Sequence, residues 1–159
     1  MSTFNWDRID EKLETNQYTM ITPTIAIGSL YSSYIPFDII VNMAYRYDGD
    51  GFIKHQITKT EEKDKQIIRV GIHDTPTEPM NDILHQLVTL LLSYIEKNPL
   101  TRILVHCQAG ISRSASVVIA LVAKLYGLHY HEALELVKNK RPIVNPNEGF
   151  HNTLISYIN

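Results

Sequence analysis

The stretch LVHCQAGISRSAS, residues 104–116, contains the only cysteine of a chain of 159 residues. Apolar and β-branched residues before Cys107 predict a strand at 102–106, and the apolar residues after Arg113 predict a helix at 112–126. Because that helix is apolar nearly all round, we expect it to be buried at the centre of the fold. The loop between the two elements therefore places Cys107 between the end of a strand and the start of a buried helix.

Further strands and helices alternate along the chain. Short apolar runs predict strands, and apolar residues spaced three and four apart predict helices. The charged segment EEKDK, residues 61–65, predicts an exposed loop. The remaining strands are predicted at 22–33, 38–45, 52–58 and 66–72, and the remaining helices at 80–98, at 129–140 and from Asn147 to the C-terminus.

This alternation favours a single α/β domain with a central, mainly parallel sheet flanked by helices. The length of the chain fits one domain and can bury a sizeable core. Ligands bind to such sheets outside the carboxyl ends of the strands. Cys107 follows the predicted strand 102–106 directly, so it lies where a site is expected.

Charge and hydropathy argue against several classes of partner. The formal net charge of −2 gives no positive field that would draw the chain to nucleic acid or to anionic lipid. No apolar run has the length of a transmembrane helix, and the acidic, polar N-terminus is unlike a signal peptide. One cysteine forms no internal disulfide, so we expect a reducing compartment, cytoplasmic or nuclear by diffusion, and no secretion.

The N-terminal stretch 1–20 is predicted to be a helical extension of a domain that spans 1–159. FNWDRIDEKLE, residues 4–14, can form a short amphipathic helix. Apolar residues on such a helix most often pack within their own chain, which favours a monomer. Docking of this helix on a second copy, to give a homodimer, is the alternative.

The loop after Cys107 has the residues of an anion site. Its backbone N–H groups can turn inward around an anion, and the helix that begins near Ser112 adds its positive end. Arg113 has a planar fork that matches two phosphate oxygens, and Gly110 permits a tight turn. These groups would lower the pKa of the Cys107 thiol and favour a thiolate at neutral pH. The alternative is a structural cysteine, buried at the end of a strand.

The string HCQAGISRS resembles the signature of the cysteine-dependent protein tyrosine phosphatase superfamily: His-Cys, five residues, Arg, then Ser or Thr. Its Ala-Gly-x-Ser-Arg-Ser form is similar to that of the dual-specificity protein phosphatases. The resemblance covers most of the chain from about residue 23 onward. Its further segments are GSLYSS (28–33), VNMA (41–44), IHD (72–74) and RPIVNPNEGF (141–150).

The resemblance implies a role for each residue of the signature. Cys107 would be the nucleophile that forms a phosphocysteine intermediate. Ser114 would donate a hydrogen bond to the cysteine sulfur, although a serine in the first turn of a helix can also serve the local backbone alone. His106 would orient the loop as a buried, neutral side chain. The phosphoryl oxygens would bind to the Arg113 side chain and to the backbone amides of Gln108, Ala109, Gly110, Ile111, Ser112 and Arg113.

The reaction also needs a proton donor for the leaving oxygen. Asp74 comes directly after the predicted strand 66–72, and it matches the general acid of the family. By its position alone it could equally be a solvated aspartate or one that caps a turn. Glu78 is a weaker competitor on the same loop, Asp82 belongs to the start of the next helix, and His73 is expected to be structural.

The resemblance predicts a protein phosphatase that acts on phosphoprotein substrates, both phosphotyrosine and phosphoserine or phosphothreonine. The segment AYRYDG, residues 44–49, lacks the Asn-Arg-Tyr loop that deepens the pocket of tyrosine-specific relatives, which predicts a shallow pocket. No cofactor is expected. No metal site is expected either, because His129 and His131 lie two residues apart and do not face one another on a helix.

Two alternatives stand beside a protein phosphatase. The first keeps the chemistry and acts on phosphoinositides or on RNA 5′-phosphates. The uncharged loop residues 108–112 and the net charge weigh against it. The second is a non-catalytic phosphate-binding module, which would normally lack the cysteine, the arginine or the acid.

Overall fold

The computed structural model describes residues 17–45 and 55–159, which contain a six-stranded sheet and four α-helices. The strands are β1 (Thr19–Met20), β2 (Ile25–Gly28), β3 (Ile39–Asn42), β4 (Ile57–Glu62), β5 (Lys65–Val70) and β6 (Ile103–His106). The helices are α1 (Asn81–Lys97), α2 (Arg113–Tyr126), α3 (Tyr130–Lys140) and α4 (Glu148–Ile158).

The strands lie in the order β1-β2-β6-β3-β5-β4. The four inner strands, β2, β6, β3 and β5, run parallel to one another, and β1 and β4 pair antiparallel at the two edges. The predicted α/β domain with a central, mainly parallel sheet is therefore confirmed. Because the inner strands are parallel, their carboxyl ends meet at one edge of the fold.

Apolar side chains cover both faces of the inner strands, because successive residues of a strand point to opposite sides. One set, which includes Ile27, Val41 and Val105, packs with the helices in the larger core. The other set, which includes Ile40 and Leu104, packs in a smaller cluster around Phe37. The strands are thus buried on both faces, which is why they appear in the sequence as nearly continuous apolar runs.

Helix α2 is the central helix of the larger core. Every residue from Ser114 to Ala123 is buried, as its all-round apolar sequence predicts. The helix ends at Gly127, whose left-handed φ of 65° suits a C-cap. Among the described helices, none is long and apolar enough to cross a membrane.

The prediction of a loop at 61–65 is wrong, because a tight hairpin turn joins two strands there. Strand β4 runs to Glu62, and β5 begins at Lys65. Lys63 and Asp64 have φ values of 51° and 66°, which a two-residue turn between twisted antiparallel strands requires. The charges were misleading because β4 is an edge strand, and exposed edge strands commonly carry charged side chains.

The N-terminal prediction is corrected at its end. Thr19 and Met20 pair antiparallel with β2, so these two residues of the predicted helical extension 1–20 are in a strand. Their backbone groups complete the edge of the sheet, which a helix could not do. The predicted helix 4–14 and residues 52–54 of the predicted strand 52–58 lie outside the described residues.

Candidate active site

Cys107 lies at the carboxyl end of the parallel strands. Strand β6 ends at His106, and residues 107–113, called the Cys107 loop below, lead into α2. Hydrogen bonds hold the end of β6 and the start of the loop beside β2 and β3. The Cys107 N–H donates to the Gly28 carbonyl at 3.3 Å, and the Met43 N–H donates to the His106 carbonyl at 2.7 Å. The predicted position of the cysteine in the sheet is confirmed.

The carbonyl groups of residues 108–112 all accept hydrogen bonds from outside the Cys107 loop. Since the C=O and the following N–H of a trans peptide point in opposite directions, these carbonyls turn the next N–H groups to the other side. Gly110 N–H donates to Cys107 Sγ at 3.3 Å, so that side faces the thiol. The carbonyl contacts are Gln108 O with Leu30 N at 3.2 Å, Ala109 O and Gly110 O with Arg141 at 3.2 and 3.0 Å, Ile111 O with Asn145 N at 2.8 Å, and Ser112 O with Ser116 N at 2.9 Å.

Several N–H groups of the Cys107 loop remain available. Within the described residues, the backbone N–H groups of Gln108, Ala109, Ile111 and Ser112 have no acceptor in the protein. A loop that turns successive N–H groups to one side is an anion-binding concavity. The geometry therefore suits an anion placed over the Cys107 sulfur.

Arg141 holds the Cys107 loop from the interior of the protein. Its side chain is only 3% exposed. Besides the two loop carbonyls, its Nη1 donates to Gln17 O at 2.8 Å and to Thr19 Oγ1 at 2.7 Å, which links β1 to the loop. Burial lowers the pKa of this guanidinium, and the neighbouring charge of Cys107 acts in the opposite direction. In the sequence, only the Arg-Pro pair of the C-terminal motif marks this residue.

Gly110 is needed for the path of the loop. Its φ of 70° lies in the left-handed region that side chains disfavour. A Cβ at this position would lie 2.7 Å from Arg141 Nη2 and 2.7 Å from the Gly28 carbonyl oxygen. The tight turn predicted here is thus present, and it also lets the loop approach β2 closely.

The surroundings of Cys107 favour its thiolate. Burial works to raise the pKa of the thiol. The hydrogen bonds of Ser114, the charge of Arg113 and the Gly110 N–H outweigh burial, so the pKa is lowered from its ordinary value. The Ser114 hydroxyl lies 3.2 Å from the sulfur. The polar contacts of Cys107 differ from those of a cysteine packed only among apolar side chains.

Replacing Ser114 with alanine is expected to raise the pKa of Cys107. The variant loses a hydrogen bond that favours the charged form, so the thiolate forms at higher pH. The pH dependence of alkylation by iodoacetamide measures this, because the chain has no other cysteine. Ser116→Ala is the matched control, since Ser116 is a buried serine of the same helix that bonds to the Ser112 carbonyl. Equal midpoints in the Ser114→Ala variant and the wild type would contradict the assignment.

His106 is a buried, neutral support of the loop. Its Nε2 lies 2.6 Å from the Tyr34 hydroxyl, and its Nδ1 lies 3.4 Å from the Cys107 carbonyl oxygen. Burial lowers the pKa of His106, and the hydrogen bond to the Cys107 backbone only partly opposes this. The ring therefore donates from Nδ1 and accepts from Tyr34, which leaves neither nitrogen free to act as a base.

The Arg113 guanidinium has one nitrogen bound to backbone carbonyls and another without an acceptor among the described residues. Its Nη1 donates to the Ile72 carbonyl at 3.1 Å and to the Met43 carbonyl at 3.4 Å. Its Nε is buried and has no hydrogen-bond partner in the part of the chain that the structure describes. A buried donor without an acceptor is rare and calls for an explanation. An anion at the Cys107 loop would supply one.

Asp74 lies at the same cleft as the Cys107 loop. It follows β5 on the exposed segment 73–79, and its Oδ1 accepts a hydrogen bond from Asn147 Nδ2 at 2.8 Å. The cleft has a volume of about 400 Å³. Its lining residues are Leu30, Ala44, His73, Asp74, Thr75, Gln108 and Arg113.

The other acidic candidates are engaged elsewhere. Glu78 pairs with His55, and Asp82 lies in the first turn of α1. The structure thus brings Asp74 and Arg113 to one cleft and leaves Glu78 and Asp82 out of its lining. His73 also lines this cleft, which its interpretation as a structural residue did not anticipate.

Comparison with known proteins places these features in a family. A family model described as the catalytic domain of dual specificity phosphatases matches residues 26–159. Mouse dual specificity protein phosphatase 15 is 33% identical over 144 residues, which are 87% of this chain and 57% of that protein. Mouse dual specificity protein phosphatase 14 is 37% identical over 92 residues, 58% of this chain and 46% of that protein. The chain thus spans about half the length of these relatives.

Solved structures share the fold. The crystal structure of DUSP15 aligns with a TM-score of 0.72 and 26% sequence identity, and the alignment covers 89% of this chain and 87% of that chain. The similarity of fold therefore extends well beyond the strand, loop and helix around Cys107.

Proposed function

The chain belongs to the dual-specificity phosphatase family, and we propose that it hydrolyses phosphotyrosine and phosphoserine or phosphothreonine of proteins through a phosphocysteine intermediate. The observation that carries the proposal is the Cys107 loop. Its carbonyls are held outward and its free N–H groups are turned toward a thiol of lowered pKa. Such a loop binds a tetrahedral dianion and leaves the thiolate to attack it.

In the first step the Cys107 thiolate attacks the phosphorus atom. The S–P bond forms while the bond from phosphorus to the leaving oxygen breaks, and Asp74 gives its proton to that oxygen. The negative charge of the phosphoryl oxygens is stabilised by Arg113 and by the backbone amides of residues 108–113. The products of this step are a free hydroxyl side chain on the substrate and a phosphocysteine.

In the second step water attacks the phosphocysteine. The Asp74 carboxylate accepts a proton from the water, a new P–O bond forms and the P–S bond breaks. Cys107 leaves as a thiolate, which the Ser114 hydroxyl stabilises by the hydrogen bond described above. Inorganic phosphate is released, and both Asp74 and Cys107 return to their starting states.

Replacing Asp74 with asparagine tests the proposal. Hydrolysis of p-nitrophenyl phosphate between about pH 5 and pH 8 is expected to fall by about 100-fold, since a general acid contributes roughly 10²–10⁴-fold. Asp82→Asn is the matched control, because Asp82 is an exposed aspartate of the first turn of α1. A folded, reduced wild type without turnover would overturn the phosphatase proposal, and an unchanged Asp74→Asn variant would overturn the role of Asp74.

We infer phosphoproteins as the substrate class, as the family implies. The residues between Cys107 and Arg113 are uncharged, which supports this class over phosphoinositides with their additional phosphates. The shallow pocket stays a prediction, because residues 46–49 of the segment 44–49 lie outside the described residues. Turnover of both phosphotyrosine and phosphoserine peptides is expected. A several-hundredfold preference for phosphotyrosine, or turnover of phosphoinositides or RNA 5′-triphosphates alone, would contradict this assignment.

We further propose that the chain acts as a monomer, with an N-terminal extension that ends before β1. The chemistry needs Cys107 in its reduced form, which supports a reducing compartment such as the cytoplasm. The molar mass in solution tests the proposal of a monomer, and the mass of a homodimer would contradict it.

A further inference from the structure

The hydrogen bonds of Asn147 join three parts of the fold. It is the N-cap of α4, and its Oδ1 accepts from Phe150 N–H at 2.9 Å. Its backbone N–H donates to Ser112 Oγ, in the Cys107 loop, at 2.9 Å. Its Nδ2 donates to Asp74 Oδ1 at 2.8 Å. One residue thus connects the anion-binding loop, the candidate acid and the start of a helix.

The segment that carries Asp74 also rests on the start of α4. Residues 73–79 have no helix or strand, and Pro76 and Pro79 interrupt them. A Cβ on Gly149, in the first turn of α4, would lie 1.9 Å from the Pro76 carbonyl oxygen. The two backbones therefore touch, and no side chain separates them. Asn147 and Gly149 thus hold the exposed segment 73–79 against the start of α4.

The chemistry of Asn147 fits this position. Asn, Asp, Ser and Thr are the usual N-cap residues, because each offers an oxygen to the first turn of a helix. Of these, asparagine has a separate N–H₂ group that can donate while its oxygen caps the helix. At Asn147 the oxygen caps α4 and the amide nitrogen binds a carboxylate. A cap alone would not need the second group.

We infer that Asn147 is a positioning residue that aims the Asp74 carboxyl group at the leaving oxygen of the substrate, an inference that rests on the proposed function. With Oδ1 occupied by the Asn147 amide, the transferable proton is held on Oδ2 of Asp74. Because the Asn147 backbone is bound to the Cys107 loop, the acid is placed relative to the same loop that holds the phosphate. This matters because small misplacements of a catalytic group are costly.

Asn147→Ser separates the two roles. Serine keeps a good cap for α4 and keeps the backbone N–H, but its side chain lacks the amide that reaches Asp74. Phenyl phosphate has a poorer leaving group than p-nitrophenyl phosphate and depends more on the acid. We expect kcat/KM to fall about tenfold for phenyl phosphate and less than about twofold for p-nitrophenyl phosphate. In an Asp74→Asn background, Asn147→Ser should cause no further loss, since the acid is already absent.

Asn147→Asp gives a second readout that does not depend on the first variant folding. Aspartate also caps α4, but it places a carboxylate beside Asp74. A like charge favours the protonated form of Asp74. Because the acid must be protonated to donate, the alkaline limb of the pH profile of kcat/KM should move to higher pH. A limb that stays in place would count against the inference, as would equal losses on both aryl phosphates.

A loss from Asn147→Ser that is just as large in the Asp74→Asn background would reduce Asn147 to a helix cap and overturn the inference. That result would leave the proposed function standing, provided that the wild type turns over and Asp74→Asn is impaired. Absence of wild-type turnover would overturn the proposed function and, with it, this role of Asn147.

Discussion

The Cys107→Ser variant is expected to lose turnover of p-nitrophenyl phosphate by at least about 10⁴-fold. The serine hydroxyl stays protonated at neutral pH, and the adjacent imidazole is not free to take its proton. His106 is the adjacent candidate, but its two ring nitrogens are engaged with Tyr34 and with the carbonyl of residue 107. The donors that stabilise a thiolate cannot by themselves ionise an alcohol.

The same variant should keep its affinity for phosphate, because the N–H groups of the Cys107 loop and Arg113 are unchanged. Binding of inorganic phosphate, measured by calorimetry, therefore accompanies the activity assay as its control. In the wild type, bound phosphate should also slow alkylation of the single cysteine. Substantial turnover by Cys107→Ser, with phosphate binding intact, would show that the nucleophile lies elsewhere.

Arg113→Lys is expected to lower kcat/KM by about 10²–10³-fold, the range seen when a donor to a developing negative charge is lost. Arg113 uses Nη1 to bind the Ile72 and Met43 carbonyls, while its buried Nε has no acceptor among the described residues. Lysine has the same charge but only one nitrogen, so it cannot anchor itself and bind the phosphoryl group with a planar fork. Charge alone therefore does not replace the arginine.

Arg102→Lys is the control for this substitution. Arg102 lies just before β6, at the opposite end of the strand from Cys107, and its guanidinium is 5.7 Å from the centre of the Phe37 ring. The two variants lose the same chemical group, one in the cleft and one far from it. We expect near wild-type kcat/KM for Arg102→Lys, and comparable losses in both variants would refute the special role of Arg113.

The strand, loop and helix around Cys107 could be predicted because their signal is local. The apolar run before the cysteine, the glycine that tolerates a left-handed φ and the apolar helix after Arg113 are consecutive in the chain. Helix α1 could be predicted equally well, since its apolar residues recur at spacings of three and four. The boundaries of both helices differ from the prediction by about one residue.

The residues that hold the Cys107 loop and Asp74 in place could not be predicted in the same way. Arg141 and Asn147 lie 31 or more residues from the residues that they bind in the loop and in the acid segment. Nothing in their neighbours in the chain shows where α3 and α4 place them. The hairpin at Lys63 was missed for a related reason, because an exposed edge strand has no apolar face to reveal it.

The four acceptors of Arg141 have a consequence for where this protein can be shortened. The family match begins at residue 26, yet Gln17 and Thr19 accept from the Arg141 Nη1. A truncated fragment that started at the family boundary would leave those donors of a buried guanidinium without partners, which is strongly unfavourable. The folded unit therefore includes residues that precede the family match, because the active-site loop depends on Gln17 and on the edge strand β1.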